Sequence, residues 1–197
     1  MPASMSAPRA EPSADDGFTL IELIVSALLL VVVISVVGGL FISTLSTQAT
    51  VTTVTTATQR GQLVTNSIEN GIRNAAVGSV APYSLTSPAG TDQMLVARTA
   101  GNGSALNWNC SAWYYSASTK SIRFMTSPAA ISAPSSSALA TWTLLSTGVT
   151  PSAGTSIFSL SGPSLSFAFR QIAGSSYVSF TSTISSRTGV TGSSPCF

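Results

Sequence analysis

The sequence predicts an α+β protein: a long N-terminal α-helix, one half suited to a membrane and the other amphipathic, packed on a head made of an antiparallel β-sheet. Three observations predict it. Leu23 to Ile42 is a run of twenty residues broken only by Ser26, Ser35, Gly38 and Gly39, and no charge lies between Glu22 and Arg60. Apolar residues then recur at helical spacing, as Val64, Ile68 and Ile72. From about Pro82 the period shortens to two, between clusters of Gly, Pro and Ser.

Residues 1–17 are polar, with Pro2, Pro8 and Pro12, and with Arg9 against Glu11, Asp15 and Asp16. No apolar stretch precedes a small-residue cleavage site there, so the segment does not read as an ordinary secretory signal. The apolar run starts directly after Gly17, and residues 18–42 form the first half of the expected helix. Twenty residues at about 1.5 Å each match a hydrocarbon core of about 30 Å. A carboxylate inside the first turn of such a segment is costly in lipid and points to a function and a partner. Glu22 is that carboxylate. Its plainer reading is a helix-terminal acid snorkelling to the interface. Gly38-Gly39 weakens the helix by about 1 kcal/mol per glycine against alanine. The pair reads either as a local melting point or as a place for close helix–helix packing in the membrane.

Residues 43–78 continue the helix. The run from Ser43 to Thr58 is rich in β-branched Thr, which lowers helix propensity slightly. Yet Leu40 through Arg60 hold no Pro or Gly, and extending a helix costs less than nucleating one. Beyond it Val64, Ile68 and Ile72 make an apolar stripe, and Glu69 with Arg73 forms an i,i+4 pair. Gly78 and Pro82 supply the stop, so the helix is expected from about Thr19 to Val77.

Residues 79–197 make the head. Expected strands are Gln93–Arg98, Ala112–Ser116, Ser121–Met125, Thr141–Ser146, Ile157–Leu160, Leu165–Arg170 and Tyr177–Ile184. Trp113 and Tyr115 face Ile122 and Phe124 across Ala117-Ser118-Thr119, which reads as a hairpin. One antiparallel sheet is expected, covered on one face by the second half of the helix. Loops are expected at Ala100–Ala105 and Ala129–Ala138. Cys110 and Cys196 are the only cysteines, and in a head translocated out of the cytoplasm they read as a disulfide. The other reading is two unpaired thiols.

The stretch Gly17-Phe18-Thr19-Leu20-Ile21-Glu22-Leu23, with the apolar helix behind it, resembles the processing and methylation site of type IV prepilins and type II secretion pseudopilins. The resemblance covers about nine residues plus the helix, and it implies a pilin-like fold. It implies that residues 1–17 are a leader cut between Gly17 and Phe18 by a prepilin peptidase, which then N-methylates Phe18. It further implies that Glu22 pairs with the new amine of Phe18, on its own chain or on a neighbour. Gly38-Gly39 lies in the region where type IV pilins often carry a helix-weakening proline that lets the helix stretch inside the fibre. Leaders of the family are basic, whereas this one carries Asp15-Asp16. The segment from Gln59-Arg60 to Ile72-Arg73-Asn74-Ala75 is similar to the corresponding helix of larger minor pseudopilins, of the J-like or W-like kind. The implied partners are the peptidase, other pilin or pseudopilin subunits in a helical filament, an inner-membrane assembly platform, and lipid before assembly. The implied location is the inner membrane with the head outside the cytoplasm, then a periplasmic or extracellular filament.

Chemistry is conspicuously thin. No histidine is present, which excludes Ser-His-Asp and Cys-His arrangements and leaves two cysteines too few ligands for zinc. Outside the first 17 residues the acids are Glu22, Glu69 and Asp92. No phosphate-cradling glycine motif occurs. A structural subunit without cofactor, metal or catalytic residue is therefore expected. A second reading is a DNA-uptake or adhesion subunit using Trp108, Trp113, Tyr114, Tyr115, Lys120 and Arg123, since rings beside cations suit stacking on single strands. Against nucleic acid as a partner, 7% of residues are charged and the head holds five Lys and Arg. A third is a single-pass surface protein that never polymerises.

Overall fold

The computed structural model describes residues 17, 19–101, 107–152, 156–191 and 196, with the side chains of 188–191 excepted. The protein is α+β, a long N-terminal helix followed by an antiparallel β domain. Helix α1 (Leu20–Arg73) passes through two compact units, Met1–Gln48 and Ala49–Phe197.

In the first unit the described chain is helix. Its Thr and Ser hydroxyls turn back onto the carbonyl four residues earlier, as for Ser35 on Val31 (2.8 Å) and Thr44 on Leu40 (2.9 Å). The same bonds continue into the second unit, from Thr53 to Ala49 and from Thr58 to Val54 (2.8 Å each). The Thr-rich run thus satisfies its hydroxyls locally while the helix propagates through it, which costs less than nucleating a new one.

In the second unit α1 buries Ala57, Gly61, Val64, Ile68 and Ile72, one stripe at helical spacing. The chain leaves the helix at Arg73, four residues before the expected end. Asn74 accepts from Ala100 N–H at 2.9 Å and Ala75 bridges Thr99, so sheet contacts outcompete the last helical turn. Next come β1 (Ala76–Val77), β2 (Ala81–Ser87), β3 (Gly90–Ala100), β4 (Trp108–Ser116), β5 (Ser121–Ser127) and α2 (Ser136–Leu139). Then follow β6 (Thr143–Thr147), β7 (Val149–Pro151), β8 (Phe158–Ser161), β9 (Ser164–Ala173), β10 (Ser176–Ser185) and β11 (Thr188–Thr191).

Where one sheet was expected, the described strands divide among three. One is five-stranded in the order β2-β3-β4-β5-β6. In a second, β9 pairs with β10 on one edge and with β7 and β8 in succession on the other. The third pairs β1 with β11 and is parallel. The chain changes sheets at Gly148 (φ +73), between β6 and β7. Gln171 of β9 holds that crossing: its Oε1 accepts from Ser146 Oγ (2.7 Å) and its Nε2 donates to Thr147 O (2.6 Å).

The main core joins Val64, Ile68 and Ile72 of α1 to Leu95, Trp113 and Ile122 of the five-stranded sheet and to Leu165, Phe167 and Phe169 of β9. A second cluster, with Met94, Val96, Ala112, Tyr114, Ile131, Trp142 and the two cysteines, covers the opposite face of the five-stranded sheet. Burial on both faces explains why β3 reads as an apolar run whereas β9 alternates.

Candidate functional site

The start of α1 is built by four residues. Thr19 Oγ1 accepts from Glu22 N–H at 3.3 Å, and Thr19 O accepts from Leu23 N–H at 3.2 Å. Thr19 is thus the N-cap, and it satisfies donors that the first turn leaves without an intrahelical partner. Thr19-Leu20-Ile21-Glu22 has the spacing of a capping box, a signal legible in the sequence beside the one read there. Glu22 is exposed, and its charge sits at the positive end of the helix dipole. Gly17 is exposed, with nothing within 4 Å of where a Cβ would stand. Phe18, the other half of the expected cleavage site, lies outside the described residues, as do residues 1–16.

Behind this cap the helix is apolar on every side. Leu28 through Ile34, seven consecutive residues spanning nearly two turns, are each 57–63% exposed. A helix hydrophobic all round needs an apolar environment on all faces, in a core or in lipid. Over Leu20–Arg73 a window of mean hydropathy 3.0 has none of its residues buried, so among the described residues one helix, α1, is long and apolar enough to cross a membrane. Gly38 and Gly39 lie inside an unbroken helix with nothing near their missing Cβ atoms, so no contact within the described residues demands glycine there.

In the head, Cys110 and Cys196 form a disulfide with Cα atoms 5.5 Å apart across 86 positions. Ile131 N–H donates to Cys196 O at 2.8 Å, so the residue is held by covalent and hydrogen bonds together. Closing a loop of this length stabilises the fold by ~4–5 kcal/mol in the chain-entropy model.

The six residues read from the sequence as a stacking platform, Trp108, Trp113, Tyr114, Tyr115, Lys120 and Arg123, do not form an open one; the cation-on-ring contact described in the head is instead Arg170 over the exposed Tyr177, 4.3 Å from its centroid. Trp113, Tyr114 and Tyr115 are buried in β4, on alternate faces, and Trp108 is half-buried. Trp113 Nε1 donates to Ser67 Oγ of α1 at 2.9 Å. Arg123 is spent on the carbonyls of Trp142 (3.0 Å) and Ala140 (3.4 Å). Lys120 occupies the left-handed turn between β4 and β5, at φ +48.

One polar cluster was not singled out by the sequence. Asp92, on β3, is nearly buried and accepts from Tyr114 O–H (2.8 Å), Ala117 N–H (2.7 Å) and Ser87 O–H (3.3 Å). Burial, then the Asp92 hydrogen bond and charge, push the Tyr114 hydroxyl well above the usual tyrosine value, and burial followed by the Asp92 charge raises Tyr115. Only pairing across the sheet brings these residues together; nothing in their spacing announces it. Among the described residues no group of three or more His, Cys, Asp or Glu is placed to hold a metal ion.

Comparison of the chain with protein families, with curated proteins and with solved structures finds no match.

Proposed function

We propose that the protein is a structural subunit of a type IV pilus or type II secretion-like filament, a minor pilin or pseudopilin assembled through its N-terminal helix. The observation that carries this reading is a single carboxylate, Glu22, in the first turn of α1, followed by no further charge until Arg60 and by a stretch that is apolar on all sides through Ile42. In lipid such a charge costs about 3 kcal/mol at the bilayer centre on insertion scales, less near the interface. Pairing with an amine offsets that cost. Cleavage between Gly17 and Phe18 would create one four residues away, one helical turn from Glu22. The sequence Gly17-Phe18-Thr19-Leu20-Ile21-Glu22 supports the same reading through its resemblance to the prepilin site. In this account Gly38 and Gly39 let the helix extend inside the fibre, and the disulfide-stapled β domain forms the outer surface. The peptidase and methylase, the assembly platform and neighbouring subunits are the partners, with lipid as the environment before assembly.

Intact-mass measurement of the protein from native membranes tests the processing step. The expected mass begins at Phe18 with one added methyl group and lacks two hydrogens for the disulfide; a chain with Gly17 and Phe18 still joined rejects it. The role of Glu22 needs a second experiment that separates its charge from its shape, since the cap shown at Thr19 uses the Glu22 backbone N–H and not its carboxylate. Glu22→Gln keeps a capping side chain and removes the charge. Charge pairing predicts that Glu22→Gln and Glu22→Ala both insert in the membrane and both drop out of sheared filaments. Normal incorporation of Glu22→Gln would reject the charge-pairing role.

A further inference from the structure

A cleft of about 460 Å³ opens where the β2–β3 turn, the β4–β5 turn and the segment around α2 meet. Its size falls within the range of small-ligand sites. Asp92, 8% exposed, lines it beside Tyr114, which is 6% exposed. The carboxylate has about four acceptor positions, and Tyr114 O–H, Ala117 N–H and Ser87 O–H fill three. Tyr114 spends its one proton on Asp92 and keeps its lone pairs. The 2.8 Å bond to Asp92 fixes the hydroxyl in this role. The buried groups therefore offer acceptors and ask a ligand for donors. Ser116 and Ser118 add a hydroxyl pair, 3.0 Å apart, that can give or take. Pro88, Pro134 and Leu139 supply apolar wall.

From this arrangement we infer that the cleft is a binding site for a neutral saccharide. A pyranose brings neighbouring hydroxyls that donate to Asp92 and Tyr114, and a C–H face that packs on the proline and leucine wall. A metal ion fits poorly, since a single carboxylate already shared among three donors is the only acid in the lining. The inference concerns the head alone and stands whether or not the chain polymerises.

Two-dimensional NMR of the full-length protein in a sugar-free zwitterionic detergent tests it. The probes are the methyl glycosides of glucose, galactose, mannose and N-acetylglucosamine, each to 50 mM, with ethanolamine as the cationic control. At least one glycoside is expected to shift the amides of Ala89, Ala117 and Ser118 in a saturable manner. Ser136→Trp, which fills the mouth from an exposed position with no hydrogen bond to the Asp92 cluster, is expected to weaken that response at least tenfold. Tyr114→Phe, which keeps the ring and removes the hydroxyl, is expected to weaken it several-fold. No saturable shift from any glycoside overturns the proposal. So does a response confined to ethanolamine, or one that Ser136→Trp leaves unchanged.

Discussion

Four glycines of α1 stand in two opposite environments. A Cβ on Gly61 would lie 2.1 Å from the Phe180 ring, and one on Gly71 would lie 2.2 Å from the Trp113 ring. Each glycine lets one sheet's aromatic side chain approach the helix backbone: Phe180 from β10 and Trp113 from β4. Gly38 and Gly39 meet nothing within 4 Å. Alanine is favoured over glycine in helices by up to about 1 kcal/mol, so propensity predicts that all four substitutions stabilise. The packing predicts a split. Gly61→Ala and Gly71→Ala should each lose ~1–3 kcal/mol through overpacking, while Gly38→Ala and Gly39→Ala leave the head's unfolding unchanged. Denaturant unfolding of the full chain in detergent, read by tryptophan fluorescence, checks this; stabilisation by Gly71→Ala would contradict the close approach. A second prediction concerns Tyr114. Its folded-state pKa lies above the ordinary value of 10.0, so folding favours the protonated form. That contribution is fully present below about pH 10 and is lost as pH rises towards the folded-state value. Stability should therefore fall steeply above pH 10, and Tyr114→Phe should flatten the fall, as a denaturation series between pH 8 and 11.5 would record.

At the scale of elements, the hydrophobic period made α1 and the alternating strands legible. Trp113 pairs with Phe124 and Tyr115 with Ile122, as the residues around Ala117-Ser118-Thr119 indicated. Leu165, Phe167 and Phe169 lie on the buried side of β9, opposite Ile184, Ser182 and Phe180 of β10. The misses have physical causes. β2 contains Pro82 and pairs only with β3 at the edge of its sheet, the place in a sheet where proline is tolerated; the same proline reads in sequence as a stop. β1, β7 and β11 are two to four residues long and leave no period to detect. The division into separate sheets depends on Gly148 and on Gln171 reaching Ser146, contacts between residues far apart in the chain. Likewise Glu22 stood out as a lone charge in an apolar run, whereas Asp92 acquired its surroundings only through β3–β4 pairing. The cysteine pair belongs to this scale as well, since it ties Cys196 to β4 and, through Ile131, to the segment before α2. Replacing both cysteines with serine should cost ~4–5 kcal/mol if the loop entropy is fully realised. Equilibrium unfolding of this variant against the reduced wild type separates loss of the bond from loss of the thiols' packing; equal stability of the variant and the oxidised wild type would exclude the staple.

At the scale of the molecule, the two units differ in how they bury apolar surface. Every buried hydrophobic residue among those described lies between Ala57 and Cys196, whereas the large apolar residues from Leu20 to Leu45 are all exposed. The second unit, Ala49–Phe197, therefore holds its own core, its disulfide and the helical stripe of Val64, Ile68 and Ile72. The exposed residues of the first unit need an environment that water does not provide, and transfer of one such side chain from water is worth about 1.5–3 kcal/mol. A chain beginning at Ala49 should thus be soluble, carry the Cys110–Cys196 bond when made in an oxidising compartment, and unfold in one cooperative transition. Its partition into vesicles should vanish, while the full chain stays bound at 1 M salt, because the attraction is apolar rather than ionic. Removing the first unit while keeping Ala49–Arg73 matters here: a cut at Val77 would also delete the helical stripe and should leave the sheets with an uncovered apolar face that aggregates. Circular dichroism, calorimetry and vesicle sedimentation on the two truncations distinguish these outcomes. A chain from Ala49 that failed to melt cooperatively would mean that the core just described is not self-sufficient.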